Sequence, residues 1–257
     1  MSPPRRIDLN ADLGEAFGAW SMGADAEILP FVTSVNVACG FHAGDPMSID
    51  RTVALALGAG VAVGAHPGHF DLRGFGRRTI AVEPAEVEAD VVYQVGALAA
   101  FVRAYGGWLS HVKPHGALYN QAAVDERLAR AVARGVVRVS RNLVLVGPAT
   151  SEPMRRAAEA KGLRYGAEAF ADRAYRKDGT LQSRSVSGGV ISDPEVAAAR
   201  AVRIARDGVV AAVDETEIPL RADTICVHGD TPGAVEIART VRAALEAAGI
   251  AVQALDR

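Results

Sequence analysis

Seven times along this chain a short apolar run ends in a polar cluster and passes into a helix-like segment. The runs are Ile7–Asn10, Ser34–Ala38, Val61–Ala65, Trp108–Val112, Leu143–Val146, Arg164–Ala167 and Thr224–Val227. Their length and β-branched content fit buried strands. The helical candidates cover about 46–59, 84–105, 124–139, 151–162, 193–207 and 232–248, with a shorter one at about 24–32. The 84–105 segment carries its own punctuation, with Pro84 at its start, carboxylates in its first turn and Gly106–Gly107 past its end. Asp45–Pro46 opens the second helix as cap and first residue, and Thr231–Pro232 opens the last in the same way. Strand, polar loop and helix repeated without a linker-like tract predict one parallel α/β domain over 1–257. The polar clusters follow strands throughout the chain rather than at one switch point, which favours a barrel of βα units over a doubly wound sheet. Residues 66–82 and 169–192 form connections long enough to be functional or mobile.

The chain has 257 residues, the size of one such barrel, and 49% are hydrophobic, which sustains a large core. Its net charge of −2 gives no basic footprint for nucleic acid and no polybasic patch for a membrane. The first ten residues hold arginines but no apolar stretch, so no signal peptide is expected. No run approaches the roughly 20 apolar residues of a membrane span. The expected location is cytoplasmic. Cys39 and Cys226 then read as reduced, buried thiols, although spacing alone leaves a disulfide open.

In a parallel barrel, chemistry gathers where the carboxyl ends of the strands meet. Five histidines, His42, His66, His111, His115 and His228, fall within or just after the apolar runs, and His69 lies in the loop beyond His66. Strand alternation can turn His111 to either face. A single histidine in such a place is more often a loop support than a catalyst; five in equivalent places favour convergence on one mouth. Asp12 and Glu15 follow the first run, while Glu168, Asp172 and Arg173 follow the sixth. Lys113, two residues before His115, sets a fixed cation beside an acid–base group. Arg77 and Arg78 offer two guanidinium forks suited to a carboxylate or phosphate, or to a solvated surface loop. His66-Pro-Gly-His69 with Asp12 has the composition of a divalent-metal set, but HxxH in a Gly/Pro loop is a weak pattern. No phosphate-binding G-x-x-x-x-G-K-[ST] loop, no G-x-S-x-G elbow and no G-x-G-x-x-G after the first strand is present.

The succession DLNADLGE (8–15), VNVACGFHAGDP (35–46), GAHPG (64–68), GFGRR (74–78), HVKPHGALYNQAA (111–123), EAFADRAY (168–175) and ICVHGD (225–230) resembles the LamB/YcsF family across nearly the whole chain. The resemblance implies a (β/α)7 barrel of the glycoside hydrolase/deacetylase type. It also implies ATP-dependent hydrolysis of 5-oxo-L-proline (pyroglutamate) to L-glutamate, in a 5-oxoprolinase assembly with two partner subunits, B and C. Because this chain lacks a phosphate loop, ATP is expected to be bound largely by the partners. On that reading the catalytic candidates are Asp12, His42, His66, Lys113, His115 and Glu168. The substrate-binding candidates are Asn10, Arg77, Asp172, Arg173, His228 and Asp230. Lys113 is the expected oxyanion partner, and Arg77 or Arg173 the grip on the substrate carboxylate. No residue is assigned to a metal, and whether this chain carries a divalent ion is left open. Two further readings compete: a metal-dependent amide or carbohydrate deacetylase on the same barrel, and a non-catalytic binding subunit that positions B and C.

Overall fold

The first strand, β1 (Arg6–Leu13), alternates Asp8, Asn10 and Asp12 with Leu9, Ala11 and Leu13, and all six are buried. A strand sends successive side chains to opposite faces, so its polar set and its apolar set are buried in different places. A computed structural model, which describes residues 5–228 and 233–255, shows where. After β1 come α1 (Asp25–Ile28), β2 (Ser34–Ala38), α2 (Pro46–Gly58), β3 (Ala62–His66), α3 (Pro84–Ala104), β4 (His111–Val112), α4 (Gly116–Val124) and α5 (Glu126–Val139). The chain continues through β5 (Val144–Pro148), α6 (Glu152–Glu159), β6 (Arg164–Phe170), α7 (Pro194–Asp207), β7 (Val209–Ala211), β8 (Glu217–Pro219), β9 (Thr224–His228), α8 (Ala234–Ala247) and β10 (Ala251–Val252). Strands β1 to β6 pair in sequence order, all parallel; β9 pairs with β6 on one side and β1 on the other, closing a seven-stranded barrel. This is the expected (β/α)7 architecture.

Leu9, Val35, Val37, Val63, Leu145, Ile225 and Val227 form an apolar layer with Val53, Val91, Leu98, Val132, Ile237 and Val241 of the helices. The inner face is polar. Asp8 accepts from the hydroxyls of Thr33, Ser34 and Thr224 at 2.5–2.8 Å. One layer up, the Asn36 amide donates to Asn10 Oδ1 at 2.7 Å and Asp12 Oδ1 at 2.8 Å, and Asn10 donates to Thr224 and Glu168. Burying such groups is costly unless each is hydrogen-bonded, and here they satisfy one another. His111 turns inward and joins this lumen, 2.8 Å from Asn36 Oδ1. Gly64 on the neighbouring strand makes room for it, since a Cβ there would lie 2.1 Å from His111 Nε2.

The entry to α2 follows the predicted chemistry, and other helices add caps of their own. Asp45 caps α2 by accepting from Met47 and Ser48 N–H, ahead of Pro46. Glu83 and Glu86 form a reciprocal capping box before α3, and Asp193 caps α7 ahead of Pro194. Three features depart from expectation. A separate helix, α4, follows His115, and α5 starts one residue beyond its end. The antiparallel hairpin β7–β8 lies outside the barrel, and β10 pairs with Arg6 and Ile7 at the amino end of β1. The expected opening of the last helix at Thr231–Pro232 lies outside the described residues, as does the candidate Asp230. Among the described residues no helix is long and apolar enough to cross a membrane.

Candidate active site

A cavity of about 720 Å³ opens at the carboxyl ends of the strands. At its floor lies Lys113, one residue past β4, with Nζ 2.9 Å from Asp12 and 2.8 Å from Glu168. It also stands 3.1 Å from Cys226 Sγ. Burial works against the ammonium, but the two carboxylates outweigh it and hold the Lys113 pKa well above its ordinary range. Burial likewise pushes the Asp12 carboxyl up, and His66 and Lys113 beside it pull it well below the usual carboxylate range. Tyr119, on the first turns of α4, donates to the other Glu168 oxygen at 2.7 Å. Lys113 is thus a fixed cation, locked between two anions from β1 and β6.

The wall beside it is built from histidines. His66, at the end of β3, has Nε2 3.3 Å from Asp12 and 3.0 Å from His115 Nδ1. The far nitrogen of each ring faces a backbone carbonyl: His66 Nδ1 meets Lys113 O at 2.7 Å, and His115 Nε2 meets Phe75 O at 2.9 Å. His42 lies flat on His115, with ring centroids 3.7 Å apart. Glu15 Oε1 stands 3.9 Å from both His42 Nε2 and His115 Nδ1. Burial drives the pKa of His42 and His115 well below the imidazole range, so both rings are neutral. Glycines permit this crowding: a Cβ at Gly76 would lie 2.7 Å from His42, and one at Gly68 2.8 Å from His42 Nδ1.

The other candidates fall at different depths. His228 lines the cavity opposite the histidine wall, stacked on Phe170, with Nδ1 2.9 Å from Asp172. Burial raises the Asp172 pKa, but His228 outweighs it, so the carboxylate stays ionised. Arg77 lines the rim, its guanidinium over the Phe75 ring at 4.7 Å. Arg173 also borders the cavity, while donating to the carbonyls of Gln182 and Gly189 and so bracing the 171–193 loop. Asn10 and Asp172, expected as substrate contacts, stand behind the wall. Asn10 sits in the lumen under Glu168, Asp172 is fully buried behind His228, and each orients a cavity residue instead. His42 is also set back, reaching the cavity through His115. His69 hydrogen-bonds Gln121, so the HxxH spacing does not bring two ligands together. Both cysteines are free and buried.

Three contributors do not stand out in the sequence. Glu15 reads there only as an acid after the first run, yet it stands between His42 and His115. Tyr119 lies four residues past His115, where one helical turn brings it back over the mouth. Cys226 alternates with Val227 on β9 and faces inward, a placement that strand period alone could have given.

These observations define the class: a parallel (β/α)7 barrel whose mouth gathers a buried lysine, carboxylates and histidines around one cavity. The LamB/YcsF family model matches residues 7–257. The chain belongs to that family. It is 56% identical to the 5-oxoprolinase A subunit of Heliobacterium modesticaldum, over 97% of this chain and 98% of that one. It is 54% identical to the protein of the same name from Symbiobacterium thermophilum, over 98% and 96%. The crystal structure of the lactam utilization protein from Thermus thermophilus superposes with a TM-score of 0.92 at 52% identity, covering 97% of this chain and all of that one.

Proposed function

We propose that this chain, acting over 1–257 as one barrel domain, is the lactam-opening subunit of an ATP-dependent 5-oxoprolinase, converting 5-oxo-L-proline to L-glutamate with partner subunits B and C in the cytoplasm. The observation that carries the reading is the Lys113 ammonium held by Asp12 and Glu168 on the cavity floor, with the His66–His115 pair beside it. The names borne by its relatives support the substrate. A five-membered lactam is a poor electrophile, and its amine stays tethered after opening, so re-closure competes at high effective molarity. Phosphorylating the lactam oxygen with ATP, which the partners would largely bind, makes the ring carbon reactive. Water then adds to that carbon, and the C–N bond breaks with its electron pair going to nitrogen, which takes up a proton. The phosphoryl group stays on the new carboxyl until a second water removes it.

In this scheme a neutral histidine of the His66–His115 pair takes the proton from the attacking water, with Asp12 orienting His66. Lys113 steadies the negative charge of the phosphoryl group and of the water-derived oxygen in the tetrahedral intermediate. Arg77 and Arg173 hold the substrate carboxylate at the rim, and His228, fixed by Asp172, faces the ring from the opposite wall. The test is glutamate release from 5-oxoproline by this chain with B and C, with each component and ATP omitted in turn. Release that needs ATP and all three chains supports the reading; no release from a competent B and C pair given this chain sinks it. The histidine–carboxylate group at the wall favours a second reading, a metal-dependent amide hydrolase. That reading predicts product without ATP and inhibition by chelators.

A further inference from the structure

We infer that Glu15, His42, His66 and His115 form a site for one divalent transition-metal ion of the zinc class. The inference stands whether or not the substrate is a lactam, and an ion here would take the ring lone pair that the scheme above gives to the base. It begins with the protons on the rings. A backbone carbonyl only accepts, so Lys113 O makes His66 Nδ1 a donor, and Phe75 O does the same for His115 Nε2. The two remaining ring nitrogens, His66 Nε2 and His115 Nδ1, face each other at 3.0 Å, with the Asp12 carboxylate 3.3 Å from His66 Nε2. A contact that short between two ring nitrogens needs a proton or a metal ion to hold it.

His42 adds an independent observation. It is 1% exposed, and neither of its ring nitrogens has a hydrogen-bond partner. Leaving buried polar atoms unpaired is costly, and a ligand for one of them removes that cost. One donor atom from each of Glu15, His42, His66 and His115 lies within 4.8 Å of the other three. A tetrahedral ion with bonds of about 2.0–2.2 Å needs donors roughly 3.3–3.6 Å apart. The separations of 3.0 Å (His66–His115) and 3.9 Å (Glu15 to His42 and to His115) bracket that spacing. Three imidazoles and a carboxylate suit zinc and its neighbours better than magnesium or calcium, which prefer all-oxygen shells. Rings whose far N–H is held by a carbonyl are oriented as metal-binding histidines are. His42 is parallel to His115 to within 2°, so one in-plane point cannot serve both rings. Sharing an ion with His115 therefore requires the His42 ring to turn out of this stack.

A second group, Asp12, Cys226 and His228, also draws donor atoms together. There the Lys113 ammonium already takes the cation's place, touching Asp12 and Cys226, and His228 Nδ1 is engaged by Asp172. The rival occupant of the first site is a proton, shared between His66 and His115 with Asp12 3.3 Å away.

The full chain, stripped with a chelator at neutral pH, is titrated with Co2+ and read by visible absorption and metal analysis, with Zn2+ as competitor. We expect one ion per chain, a visible d–d band without sulfur character, and displacement by Zn2+. Glu15→Gln and His115→Ala should each weaken binding by more than the roughly 10–100-fold that losing a group behind a ligand costs. Zn2+ should raise the Tm of the wild-type chain but not of Glu15→Gln, a near-isosteric change that guards against a folding defect in the alanine variant. Three results would overturn the inference: a folded wild-type chain that takes up no Co2+, a near-ultraviolet sulfur-to-cobalt charge-transfer band placing the ion on Cys226, or unchanged affinity in both variants. In the first case the 3.0 Å contact is a shared proton.

Discussion

Lys113 shows how a single buried charge ties the chemistry to the fold. Removing it leaves Asp12 and Glu168 facing each other in the lumen without their shared cation. Breaking a buried ion pair from one side costs roughly 3–5 kcal/mol, because the orphaned charge stays desolvated. Lys113→Met should therefore lower the unfolding free energy by about that much in urea. Adding Glu168→Gln should recover part of the loss, and a double variant no more stable than the single one refutes the pairing. Lys113 has a raised folded-state pKa, so its contribution is complete below its unfolded value of about 10.4 and fades only as pH rises through the folded value. The thiols behave oppositely in chemistry. Burial pushes Cys39 up to about 12, and Cys226 rises well above its ordinary value because burial outweighs the neighbouring lysine. Neither should react with a disulfide reagent at pH 8 until the chain unfolds, when both should react together. Rapid labelling of the folded chain contradicts this assignment.

At the level of elements, the best-marked helix starts were legible because their caps are local. Asp45 is held to about 2 chiefly by the Gly18 N–H and the Ser48 hydroxyl, so it ties the loop after β1 to the start of α2. Asp45→Ala should cost about 1 kcal/mol at pH 7, the usual worth of a lost N-cap. The folded pKa lies below the unfolded one, so the stabilisation is present above about 3.9 and fades as pH falls through about 2. Urea midpoints of wild type and variant should thus differ at pH 7 and converge near pH 2; a constant gap rejects the carboxylate's role. What stayed illegible lacks such local signals. Helix α4 begins at Gly116 without a side-chain cap, and its first turn is held from outside, by Ala117 N–H to Gly76 O and by Tyr119 to Glu168. Without a cap, and with a single residue before α5, its residues merge into the neighbouring pattern. The turn of the β7–β8 hairpin is tied to a distant segment by Val213 N–H donating to Tyr175 O.

For the whole molecule, the short run at Ile7–Asn10 foretold a strand but not that a polar face of Asp8, Asn10 and Asp12 would be the inside. In barrels of this kind the lumen is usually filled by branched apolar side chains. Here Asp8, Asn10, Asn36, His111 and Lys113 fill much of it and build the floor of the cavity. Strand-end position therefore separated the site from the rest of the chain well, but not cavity contacts such as His115 from supports such as Asn10. That difference depends on how the closing of β9 onto β1 sets the layers. The same layering argues against a pure scaffold, which needs its outer helices to meet partners and gains nothing from buried histidines and a lysine at the mouth. His115→Ala removes a ring of the cavity wall that touches His66, His42 and the Phe75 carbonyl. If the chain catalyses, this variant should co-purify with B and C as the wild type does, while kcat for glutamate release falls by about 10²–10⁴, the usual worth of a general base. If it only positions its partners, kcat should hold. Loss of co-purification with unchanged turnover per intact assembly would place the residue in docking rather than chemistry.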